Sequence, residues 1–153
     1  MRDPKLFVRL AYHCASDGPR IMLFGPSTVD FVPVQDVFRR LSRNEGPFDF
    51  QTLPFVEAFG GIRMTASCSG SSDNVSLGKP QGLRRVSPKS DDFEWRRTAE
   101  GWDYLAELIN TLVVRDRPGH QYLSSYPSED AIIVLSKGEY QDDVLTRLGL
   151  GTR

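Results

Sequence analysis

The chain is poor in the residues that build disulfide frameworks and metal sites. Among its 153 residues there are two cysteines, Cys14 and Cys68, and two histidines, His13 and His120. Two thiols do not make a disulfide scaffold, and without a Cys-x-x-Cys neither a zinc knuckle nor a thioredoxin-type motif is supported. His13 and Cys14 are neighbours on a predicted strand, so their side chains point to opposite faces and do not converge on a metal. Each cysteine ends a stretch of alternating apolar residues, and both are expected to be reduced core thiols at strand ends. There is no apolar run of about 18 residues, which argues against a helical membrane span. The opening Met1-Arg2-Asp3-Pro4 lacks the apolar stretch of a secretory signal, so a cytoplasmic location is expected. No cofactor is implied by any motif.

An excess of one charge is missing too. Nineteen Lys and Arg stand against twenty Asp and Glu, a formal net charge of −1. Divided after Ser76, the chain carries 8 basic and 8 acidic residues, then 11 and 12. That balance argues against a strongly basic nucleic-acid binder and against an acidic disordered tail. Lysine is scarce beside arginine, four against fifteen. Guanidinium groups favour planar, bidentate contacts, although codon usage explains the bias equally well.

What is present is the patterning of a soluble globule: 39% apolar and 25% charged residues, in a chain long enough for one sizeable core. Residues 6–14 alternate in polarity and read as a half-buried strand, and Asp17-Gly18-Pro19 turns the chain into a second strand at 20–24. Ser27-Thr28-Val29-Asp30 resembles a capping box with Asp in place of Glu. Val34, Val37, Phe38 and Leu41 then form a helical stripe, so a helix is predicted over about 33–43, with Pro33 in its first turn. Phe48–Phe59 is apolar without a period and reads as a short strand or extended segment. Strands are predicted at 62–68, 83–87 and 93–97, with Phe93 and Trp95 on one inner face. Residues 69–82 are rich in Ser and Gly and read as a flexible loop. Thr98 is a good N-cap for the clearest helical stripe in the chain, Trp102, Leu105, Leu108, Ile109 and Leu112. Strands at 120–123 and 131–135 follow, the second continuously apolar and therefore expected to be buried on both faces. From Gln141 onward a short helical turn and a frayed tail are expected. The order of elements predicts a single α+β domain over 1–153, with a mainly antiparallel sheet of about five to seven strands and two helices on one face.

No complete catalytic signature is present. Gly78-Lys79 lacks the glycine at 73 and the hydroxyl at 80 that a phosphate loop needs. Ser72-Asp73-Asn74 and Ser76-x-x-Lys79 mimic penicillin-binding signatures in the wrong order, without a Lys-Thr-Gly. The pairs Asp91-Asp92, Glu129-Asp130 and Asp142-Asp143 read as solvated turns. The strand pairing places His120, Tyr122, Lys137 and Glu139 at one end of the sheet. Arg84, Arg85, Lys89, Arg96 and Arg97 form a basic stretch with Phe93 and Trp95 interleaved, but Asp91, Asp92 and Glu94 interrupt it.

These features favour a non-enzymatic protein-binding module, of the size and texture of small bacterial immunity-like or accessory factors. Its expected partner is another protein, met by the acidic helix face at Asp103 and Glu107 or by the sheet end at His120, Tyr122, Lys137 and Glu139. A small enzyme or small-molecule site around His120 and Tyr122 is the alternative. Nucleic-acid binding through the 84–97 strands is a weaker one.

Overall fold

The hairpin predicted at the start is there: β1 (Val8–Ala15) and β2 (Gly18–Gly25) pair antiparallel, with Leu10 opposite Leu23. The computed structural model describes residues 8–70, 81–115, 117–139 and Arg147. Most of the 69–82 loop and nearly all of the tail from Gln141 therefore lie outside the described residues.

After β2 the Ser27 N–H and hydroxyl both donate to the Asp30 carboxylate, at 3.0 and 3.2 Å. The chain then enters α1 (Val32–Ser42), which buries Val34, Val37, Phe38 and Leu41 as its stripe requires. Two short strands follow, β3 (Phe48–Asp49) and β4 (Val56–Ala58), then β5 (Arg63–Cys68). Beyond the loop come β6 (Gly82–Arg85), β7 (Asp92–Arg97) and α2 (Ala99–Val113), whose N-cap Thr98 accepts the Gly101 N–H on its hydroxyl at 3.0 Å. β8 (Gly119–Tyr122) and β9 (Ile132–Lys137) complete the described elements.

The class is α+β. The strands divide into two sheets, ordered β4-β1-β2-β9-β8 and β3-β5-β7-β6. Four of the seven pairings are antiparallel, while β1/β4, β2/β9 and β5/β7 are parallel. This corrects the expectation of one sheet. Alternation tells which face a side chain takes, but not which strand lies alongside or in which direction. β9 is flanked by β2 and β8 and is buried along most of its length, as its continuous apolar run requires.

One core joins the layers. Val8, Leu10, Ile21, Leu23, Ile133 and Leu135 enter it from the first sheet, and Met64, Ala66, Leu83, Phe93 and Trp95 from the second. Both helices bury their stripes in the same core, and α2 touches β7 of one sheet and β8 of the other. The helices thus serve both sheets rather than covering a single face. At the centre Phe38 meets Trp95 edge-on at 5.4 Å, and Trp95 meets Trp102 at 4.9 Å. The Trp102 indole donates to the Ser67 carbonyl at 2.9 Å, tying α2 to the end of β5. The other face of the first sheet is buried as well, with Ala11, Met22, Phe24, Phe59 and Val134 in a second cluster.

The segment between β8 and β9 crosses to the second sheet. The Glu129 carboxylate accepts the Leu83 N–H at 2.7 Å, Asp130 accepts the Arg85 N–H at 2.8 Å, and the Asp130 N–H donates to the Leu83 carbonyl at 3.0 Å. Gly82 permits the approach: its φ is +90°, and a Cβ there would lie 2.7 Å from Glu129 Oε2.

The expected pair of core thiols needs correcting. Cys14 is exposed near the tip of the first hairpin, beyond the reach of the core, and Cys68 is half-buried. No described helix is long and apolar enough to cross a membrane.

Candidate functional site

Asp103 and Glu107 lie one turn apart on α2, and both are taken by one residue of α1. Arg39 donates to Asp103 at 2.8 Å and to Glu107 at 2.7 Å, and these contacts hold its guanidinium pKa above the usual value. The acidic face is therefore an ion-pair bridge between helices, solvent-exposed and worth about 0.2–1 kcal/mol per pair.

The pairing of β8 with β9 sets His120 opposite Ser136. The Glu139 carboxylate lies 3.0 and 3.1 Å from His120 Nδ1 and accepts the Ser136 hydroxyl at 2.7 Å. Tyr122 stacks edge-on against the imidazole at 5.2 Å. Burial pushes the Glu139 carboxyl up, but the hydrogen bonds from Ser136 and His120 outweigh it, leaving the group below the usual range. Glu139 thus orients the ring and leaves Nε2 as the nitrogen available to a ligand. Ser136 spends its proton on Glu139 rather than on the imidazole, so this is no activated-serine arrangement.

Lys137 does not join this group. It pairs with Gly119, one residue out of phase with His120, and its side chain leaves by the opposite face. Its ammonium is buried and donates to the Leu112 carbonyl at 2.5 Å and to the Arg115 carbonyl. The sequence grouping of Lys137 with His120 and Tyr122 is corrected by that register.

A second site stands where the sequence shows only a mixed charged sheet face. A cleft of about 390 Å³ is lined by Arg84 of β6, Arg96 and Arg97 of β7, Gln81, the first turn of α2, and Ser128 and Glu129. Arg84 donates to the Ser128 carbonyl at 3.0 Å and the Gln81 carbonyl at 3.3 Å, while its Nε is buried without a partner. The Arg97 Nε is buried without a partner too. The Gln81 amide oxygen accepts the Ser69 hydroxyl at 3.1 Å, and its nitrogen is left unpaired. Arg96 and Arg97 form no ion pair among the described residues.

Two of the three acids that balance this stretch on paper are turned elsewhere, while the third, Glu94, is exposed and lies opposite Arg84 in the strand pair. Asp91 pairs with Arg85 at 2.8 Å and Asp92 lies 3.9 Å from Arg63. Glu129 spends both oxygens on the Leu83 and Ser125 N–H groups. Asp130 reaches Arg84 only at 3.8 Å. The fold turns Asp91 and Asp92 towards Arg85 and Arg63 and sets Arg84, Arg96 and Arg97 around one cavity, with Glu94 across the strand pair from Arg84. A neighbouring cleft of about 500 Å³ is lined by Arg85, Pro88, Tyr126 and Pro127 among others, but its arginine is held by Asp91 and by the Ser90 carbonyl.

Among the described residues no cluster of three or more His, Cys, Asp or Glu is placed to hold a metal ion. No protein-family profile, curated protein or solved structure matches the chain.

Proposed function

We propose that the protein is a non-enzymatic binding module whose protein partner presents acidic groups to the cleft formed by Arg84, Arg96 and Arg97. The observation that carries this reading is that Arg96 and Arg97 line the cleft and form no ion pair among the described residues. Unpaired guanidinium groups lining one concavity are what an acidic partner needs for charge-assisted, bidentate contacts. The acidic helix face at Asp103 and Glu107 carries less weight, because Arg39 already satisfies both carboxylates. Acid–base chemistry at His120 has the Glu139 contact in its favour but, among the described residues, no nucleophile bonded to the ring.

The test is fluorescence anisotropy with a labelled poly-L-glutamate chain and the full-length protein. Saturable binding, weakened at least tenfold in the double variant Arg96→Gln/Arg97→Gln and retained in Asp103→Asn/Glu107→Asn, is the expected result. Binding insensitive to the arginine changes would overturn the assignment. Tighter binding of a single-stranded oligonucleotide, with affinity falling steeply with salt, would replace a protein partner by a nucleic acid.

A further inference from the structure

Two residue choices at this cleft run against local stability, and they sit side by side. Arg97 places a cation beside the N-terminus of α2, where the aligned peptide dipoles already leave a partial positive charge. The helix also carries a glycine in its first turn, a poor helix former, and that glycine is what admits the arginine. A Cβ at Gly101 would lie 3.1 Å from Arg97 Nε and 3.2 Å from its Cβ. Violations of local rules concentrate where function requires them.

The charge and donors around the cavity define what would relieve this. Three guanidinium groups meet one lining carboxylate, Glu129, and Arg84 has Asp130 at 3.8 Å, so Arg96 and Arg97 are the charges without an ion pair among the described residues. The guanidinium groups come from separate strands of the wall, Arg84 from β6 and Arg96 and Arg97 from β7, and the last two form no ion pair among the described residues. A carboxylate offers one charge and two coplanar oxygens, which a single guanidinium satisfies. A phosphate monoester offers nearly two charges and three oxygens spread in a tetrahedron, which suits donors converging from several directions. Backbone N–H groups at the helix end do not compete for the role, since those of Ala99 and Gly101 are taken by Gly70 and Thr98.

Resting on the reading of this cleft as the docking surface, we infer that it receives a phosphate monoester, carried by a phosphorylated segment of a protein partner.

The experiment compares three peptides of identical sequence carrying phosphoserine, glutamate or serine at one central position, titrated into the full chain by calorimetry. Inorganic phosphate and a single-stranded oligonucleotide serve as further ligands. The phosphoserine peptide should bind at least tenfold more tightly than the glutamate peptide and than free phosphate, with no binding of the serine form. Arg97→Gln should abolish the preference while raising the melting temperature of the unliganded protein by about 1–4 °C, since a misplaced charge is removed. Arg96→Gln, whose site is not at the helix end, should abolish the preference without that rise, and it keeps the test decisive if the first variant misfolds. Equal binding of the phosphoserine and glutamate peptides would overturn the phosphate assignment and leave the acidic docking surface standing. Binding of neither would overturn both. Free phosphate bound as tightly as the phosphopeptide, or the oligonucleotide bound more tightly, would overturn the phosphorylated protein partner in favour of a free anion or a nucleic acid.

Discussion

The Lys137 ammonium donates to the Leu112 carbonyl at 2.5 Å, so a strand residue of the first sheet caps the C-terminal end of α2. The last carbonyls of a helix lack intrahelical partners and carry a partial negative charge. A buried cation placed there satisfies both needs. Replacing Lys137 by Met leaves those carbonyls unpaired in a dry site, and should cost about 1–3 kcal/mol in urea denaturation with an unchanged m-value. A loss below about 0.5 kcal/mol would mean that water replaces the ammonium freely.

The two tryptophans at the centre of the core should respond differently to the same change. Trp102 donates to the Ser67 carbonyl, whereas the Trp95 indole nitrogen has no hydrogen-bond acceptor and lies among aromatic rings. Trp→Phe removes similar volume at each site, but only Trp102→Phe orphans a carbonyl. Trp102→Phe should therefore be the more destabilising, by about 1 kcal/mol. Equal losses in parallel denaturation curves would show that the Ser67 contact contributes nothing net.

Tyr12 gives a pH prediction. Burial pushes its phenol up to about 12, helped by the hydrogen bond with Cys14 and opposed by the Arg85 guanidinium. The folded pKa exceeds the unfolded value of 10, so the folded state holds the proton longer. The associated stability is intact below pH 10 and is lost as pH rises towards 12. Tyr12→Phe should remove the last-titrating phenolate from the ultraviolet titration and flatten the fall in stability across that interval. An unchanged profile in the variant would assign that late titration to another tyrosine.

The elements that were legible in the sequence are those whose own period carries the signal. The stripe from Trp102 to Leu112 and its Thr98 cap read directly as α2, and the alternation from Val8 to Cys14 read as β1. β3 and β4 did not, because strands of two and three residues exist only through their pairing with β5 and β1. The candidate site divides in the same way. The grouping of His120, Tyr122 and Glu139 follows from the hairpin that their two strands and the loop between them imply. The place of Lys137 is not legible there, because its contacts lie at the distant end of α2. Arg84, Arg96 and Arg97 stand in the sequence among Asp91, Asp92 and Glu94, which nearly balance them. Only the fold shows that Asp91 is held by Arg85 and that Asp92 lies towards Arg63.

The crossing segment at Glu129 and Asp130 has a consequence for how the molecule meets copies of itself. β6 is an outer strand of its sheet, and such strands present rows of unpaired N–H and C=O groups that invite another chain to add on. Here the Leu83 and Arg85 N–H groups are taken by carboxylates and the Leu83 carbonyl by a backbone N–H. An incoming strand would have to displace two acids as well as find a register. The same few hydrogen bonds that join the two sheets therefore guard this edge against aggregation, and loosening them at Gly82 or Glu129 would open a template for fibre-like growth before it unfolded the core.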